Sequence, residues 1–286
     1  MIASGIFHIF VWLVVGGSLS GDISWRKPIL FGVSAGVTLL SLSWVANKLP
    51  RRRRDPISLG ALGLAMLVEV GLITIQQWRG VASHFNRSTS FDATVLLGIE
   101  ILIILVTLVI LDLTIRCFGR IDAHADNRLA IRGGMALMAF ACLLGFVLVG
   151  YGNRQQTLGQ PPGIYGDAGV MKFPHGMPIH AIQYLPMIAW SLKRLGANER
   201  QRHQAVGWTL ASVIAFTLFS LLQTFTGRAR FDIWWLSGLS LIASFVFLSV
   251  PVVQIARHFV DSVQQRKNER RFLSGQKRAE VSNHPE

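Results

Sequence analysis

Charge is scarce in this chain: Asp, Glu, Lys and Arg make up 15% of its 286 residues, and only 15 residues are acidic. A soluble domain usually carries about a quarter charged residues, so an ordinary soluble enzyme is excluded. Cysteine is scarcer still, with Cys117 and Cys142 alone and no metal-ligand spacing between them. That excludes a disulfide scaffold and leaves two packing residues. The sequence has no Gly-rich nucleotide loop, no c-type haem attachment motif and no His-Glu-x-x-His zinc motif. Period-2 alternation is missing from the apolar stretches, which argues against a membrane β-barrel. No duplication relates the two halves, and this weakens a transporter reading without removing it.

What is present is apolar and basic, with 51% hydrophobic residues and a net charge of +13. A bilayer core of about 30 Å requires roughly 20 apolar helical residues. Eight stretches qualify: 2–20, 28–47, 57–77, 93–115, 132–151, 176–192, 205–225 and 233–256. The expected fold is therefore all-α, a polytopic transmembrane helical bundle of about eight spans over residues 1–256. Residues 257–286 are expected to form a basic cytoplasmic tail, partly disordered. The first stretch ends in small residues, Gly16 to Ser20, as a signal peptide would. No Lys or Arg precedes it, however, so a retained helix is expected. The sixth carries Pro178 and Pro186, and a broken or re-entrant helix is expected there.

The basic residues orient the bundle. Lys48 and Arg51 to Arg54, Arg116, Arg120, Arg128, Arg132, Lys193, Arg194, Arg200 and Arg202 fall in alternate loops. Arg257, Arg266, Lys267, Arg270, Arg271, Lys277 and Arg278 follow in the tail. These are twenty of the 28 basic residues. The positive-inside rule then places both termini in the cytoplasm. The net charge is accounted for by topology, and no nucleic-acid partner is expected.

The remaining basic residues lie on the opposite side, among unusual polar company. Lys27 opens the second stretch. Gln76, Arg79, His84 and Asn86 end the third and enter its loop. Lys172, His175, His180 and Gln183 begin the sixth. Glu69 and Glu100 are costly inside a membrane and normally face protein or water. Glu69 lies ~12 Å below Gln77 on a helix and shares its face with Gln76, seven residues on. Two readings stand for these carboxyls: a ligand-binding or proton-carrying pair, or structural interhelical hydrogen bonds. Arg offers two-point recognition of phosphate or carboxylate, whereas interfacial cations also contact lipid head groups. His8 is expected to be a buried, hydrogen-bonded structural residue, and His124, His203, His258 and His284 to be solvated. Asp112 and Arg116 form an i,i+4 pair. Gly32-x-x-x-Gly36 gives a small-residue face for close helix packing.

These segments resemble an uncharacterised family of bacterial polytopic inner-membrane proteins. The resemblance rests on Trp25-x-Lys27-Pro28-x-x-Phe31, on Gln77-x-Arg79-Gly80-x-x-Ser83-His84-Phe85-Asn86 followed by Thr89 and Asp92, and on Pro174-His175-x-x-x-x-His180-Ala181-x-Gln183-x-x-Pro186. It covers roughly residues 25–190. The family's last motif follows Asp-Leu-Arg, where this chain has Val170-Met171-Lys172. The resemblance implies a shared site and a bacterial inner membrane, and names no chemistry.

The expected function is an extracytoplasmic-side polar pocket for an anionic or lipid-like small molecule, in a sensor, binding protein or transporter. Its expected residues are Arg79, His84, Lys172, His180, Gln183, Glu69, Gln76, Lys27 and Asn86, with membrane lipids as partners. The alternative is a membrane-embedded enzyme: a haem or metal redox protein, with His84 and His180 as ligands, or a transferase using His and Glu.

Overall fold

The computed structural model describes residues 1–282, and the chain over that range is mostly helical. In chain order the helices are α1 (Ile2–Val15), α2 (Arg26–Ala46), α3 (Asp55–Trp78), α4 (Ser90–Cys117), α5 (Ala125–Thr157), α6 (Lys172–Ile179), α7 (Ala181–Arg194), α8 (Glu199–Phe225) and α9 (Trp235–Ser282). A two-stranded hairpin, β1 (Ile164–Tyr165) and β2 (Gly169–Val170), lies in the loop before α6. Among the described residues six helices, α2, α3, α4, α5, α8 and α9, are long and apolar enough to cross a membrane. Apolar side chains cover their outward faces, for example Leu97, Ile101 and Leu108 of α4. This is the make-up of a multi-pass membrane protein.

Two of the eight expected stretches take another form. The first is a 14-residue helix ending at Val15, about 21 Å long and shorter than the ~30 Å core. It stops because Gly16 and Gly17 take φ of 72° and 103°, conformations outside the right-handed helix. Its inner face meets the small-residue face of α2. A Cβ on Gly32 would lie 2.8 Å from the Gly5 backbone, so the two glycines allow backbone-to-backbone contact. The sixth stretch is broken into α6 and α7 at His180, one residue after Ile179 and two after Pro178. At the break the chain tightens to an i,i+3 bond, from the His180 N–H to the Met177 carbonyl at 3.4 Å.

α5 is central, packing against α4, α6, α7 and α8, while α2 packs between α1 and α3 and also touches α7. At the end bearing the 48–55 and 117–125 loops, the interior is filled by Leu42, Leu62, Met66, Ile110, Met135 and Met138. Cys117 and Cys142 are buried in the same core and unpaired. Arg116 locks this end. It donates to Asp55 at 2.8 Å, to Asp112 at 3.3 Å and to the Pro50 carbonyl at 2.9 Å. The i,i+4 pair is thus one edge of a network joining α3, α4 and the loop between α2 and α3. α9 continues past Pro251 as helix through Ser282. Residues 283–286, including His284, lie outside the described residues.

Candidate functional site

The opposite end holds the polar residues, and the loop between α3 and α4 organises them. α3 ends at Trp78, and Gly80 with φ 69° turns the chain away. Thr89 caps α4, accepting from the Asp92 backbone N–H at 3.1 Å and donating to Asp92 Oδ2 at 2.8 Å. The other Asp92 oxygen accepts from Gln76 Nε2 at 2.9 Å and from Arg79 Nη1 at 2.5 Å. Arg79 also donates to Gln76 Oε1 and lies 4.5 Å from the centre of the Phe91 ring. Asp92 is buried, at 2% exposure. The guanidinium of Arg79 is therefore committed to closing the loop. Asn86 does similar work, donating to the Ala82 carbonyl at 3.1 Å and accepting from Ser88.

Within this frame the backbone takes one costly conformation. Phe85 has φ 55°, the left-handed region, which costs a bulky residue about 1–3 kcal/mol and persists only when neighbours enforce it. Its carbonyl accepts from Gln156, and its ring lies on Gly152 of α5, where a Cβ would come within 2.5 Å of ring carbons. α5 thereby fixes the direction of the residues just before Phe85.

Those residues are Ser83 and His84, and they meet Lys27. Lys27 is 8% exposed, and its ammonium donates to the Asp22 backbone carbonyl at 2.5 Å and to Ser83 Oγ at 3.4 Å. Ser83 Oγ lies 2.9 Å from His84 Nδ1. Ser83 Oγ accepts from Lys27 and keeps a second lone pair, so its contact with Nδ1 fits either imidazole tautomer. The His84 ring also lies 5.9 Å from that of Phe31. Lys172, exposed at the start of α6, is close enough to act electrostatically on both Lys27 and His84. Among the described residues neither lysine forms an ion pair with a carboxylate. Two cations and two hydroxyl or imidazole groups thus lie near one another, with the Asp22 carboxylate acting on Lys27 from a distance and no carboxylate in contact.

Burial, and after it the charges of Lys27 and Lys172, push the His84 imidazole down to about 3. The same ring in the unfolded chain takes its proton near 6.5. Between those values the unfolded state binds more protons, so stability falls as pH is lowered through this window. Thermal midpoints of the wild type should decline from pH 7 towards pH 4 more steeply than those of His84→Gln. Parallel curves for the two proteins would contradict the assignment.

The other expected residues are dispersed around this cluster. His180 Nδ1 lies 2.7 Å from Gln183 Oε1, and Gln183 Nε2 donates to Thr38 Oγ1 of α2 at 3.0 Å. This chain ties the α6–α7 break to α2, eleven residues along from Lys27. His175 hydrogen-bonds the Ala141 carbonyl of α5 at 2.8 Å. Glu69 is half-buried and makes no hydrogen bond among the described residues. Gln76, on the same helix face, is bound to Asp92, so the expected polar stripe from Glu69 is interrupted there. Glu100 turns to α5, accepting from Asn153 at 3.2 Å. His8 has the structural role expected of it. Its Nδ1 bonds the Ser4 carbonyl at 2.7 Å and its Nε2 accepts from Trp78 Nε1 at 3.0 Å, with Trp25 stacked beside it. Among the described residues no three His, Cys, Asp or Glu side chains gather as a metal-holding group.

Sequence reasoning missed the two anchors of the loop, Asp92 and Ser83, as chemistry-bearing residues. The Thr89-x-x-Asp92 spacing is a helix-start signal and was available for the first. Nothing local announces that Ser83 meets Lys27, 56 positions away. Comparison with protein-family models, with curated proteins and with solved structures finds no match.

Proposed function

We propose that this protein sits in a bacterial inner membrane with both termini cytoplasmic and binds an anionic or lipid-like small molecule at its extracytoplasmic end. It would act there as a sensor, a binding protein or a transporter. Lys27 and Lys172 hold the anion, His84 and Ser83 orient it, and Arg79 keeps the loop closed through Asp92. The observation that supports this reading is the buried Lys27 ammonium, which contacts a carbonyl and a hydroxyl but no carboxylate and has the Lys172 charge nearby. Two neighbouring ammonium groups, one of them buried, are repelled and desolvated unless an anion joins them.

The reading is tested with simple anions. Inorganic phosphate should raise the thermal midpoint of the purified protein by linkage, and Lys172→Ala should reduce that rise. An equal rise in wild type and Lys172→Ala would contradict it. The orientation has its own test: a reporter fused after Ser90 should be active outside the cytoplasm, and one fused after Asp55 inside it. The reverse pattern would move the site to the cytoplasmic face.

A further inference from the structure

A second polar site lies between the α3–α4 loop and the last turns of α5, and its chemistry differs from that of the lysine cluster. A crevice of about 590 Å3 is lined by Arg87, Ser88, Asn153, Gln156 and Thr157. Behind it stands Glu100, a carboxyl in the apolar helix α4. Asn153 donates Nδ2 to Glu100 Oε1 at 3.2 Å. Its buried Oδ1 has no hydrogen-bond partner among the described residues. The Arg87 guanidinium is 3.9 Å from the same Glu100 oxygen, beyond hydrogen-bond length. The site thus combines a carboxylate and an amide oxygen short of donors with a cation short of a close acceptor. Flanking Glu100, Leu97, Ile101 and Ile104 are all exposed on the same side of α4, an apolar strip running along the helix past the crevice.

A ligand that meets these groups carries both signs and a tail. We propose that the crevice binds the head group of a phospholipid with a primary amine, its ammonium on Glu100 and Asn153 Oδ1 and its phosphate on Arg87. The acyl chains follow Leu97, Ile101 and Ile104. A trimethylated ammonium has no N–H to give Glu100 and Asn153, and a glycerol head group brings no positive charge to the carboxylate. Both are therefore disfavoured. The site shares no side chain with the lysine cluster, which offers two cations and no carboxylate.

The test is a native mass-spectrometry titration of the delipidated full-length protein with phosphatidylethanolamine, phosphatidylcholine and phosphatidylglycerol of one chain length. The ethanolamine lipid should reach half-occupancy at a concentration about tenfold lower than the choline lipid. Glu100→Gln, close in shape, should remove that preference, and Arg87→Ala should weaken binding of the ethanolamine lipid by a similar factor. Wild-type helical content and a cooperative thermal transition certify that each variant is folded. Equal binding of the ethanolamine and choline lipids by the wild type would overturn the proposal, as would a preference retained in Glu100→Gln. If free O-phosphoethanolamine binds as tightly as the lipid, the lipid assignment falls.

Discussion

Lys27→Met should weaken anion binding by about ten- to a hundredfold while making the ligand-free protein more stable. The binding loss follows from removal of a charge-assisted hydrogen bond in a desolvated site, worth about 1.5–3 kcal/mol. The stability gain follows from the same burial. In the ligand-free protein Lys27 is 8% exposed, and its ammonium has a carbonyl and a hydroxyl as partners and no carboxylate in contact. Methionine has similar length, no charge and no desolvation cost. Most substitutions at buried positions destabilise, so opposite signs for binding and stability distinguish a ligand-holding lysine from a structural one. Isothermal titration with phosphate and thermal unfolding without it measure the two quantities. A Lys27→Met protein that is less stable and binds normally would show the lysine to be structural.

Gly152→Ala should cost about 1–3 kcal/mol of stability, the usual penalty of overpacking, and weaken anion binding as well. The added Cβ would lie 2.5 Å from the Phe85 ring and 2.9 Å from the Pro162 carbonyl. The ring must therefore shift, and the left-handed Phe85 backbone shifts with it. Ser83 and His84 directly precede Phe85, so their aim at Lys27 is lost without either being altered. Phe85→Ala in the same chain removes the ring contact and should restore part of the stability. That non-additivity is readable in a double-mutant cycle. Additive effects of the two changes would show that α5 does not hold the loop.

The helices were legible where a single pattern decides them. The apolar runs of α2, α3, α4, α5, α8 and α9 exceed a bilayer's thickness, and their burial needs no partner to be recognised. Gly32 and Gly36 announced a close approach, and α1 makes it. Pro178 announced the break before α7. The end of α1 was less legible, because the apolar run continues to Leu19 whereas the glycines at 16 and 17 end the helix. The site was legible as a set of segments and not as a set of contacts. Arg79 reads from sequence as a free cation because Asp92, its partner, sits thirteen positions on, across the α3–α4 loop. Glu69 and Glu100 read as neighbours by depth, yet Glu100 turns to Asn153, since helix rotation cannot be fixed from the sequence of an all-round apolar helix. Lys27 and Lys172 meet because α2 and α6 start at the same end of the bundle, and that depends on the order in which helices pack.

The most direct measurement is native mass spectrometry of the protein as purified from its membrane, with the bound molecule released and identified. The account predicts one anionic molecule per chain on the wild type, and none on the Lys27→Met, Lys172→Ala double variant. A double variant that retains the same molecule at the same stoichiometry would contradict it.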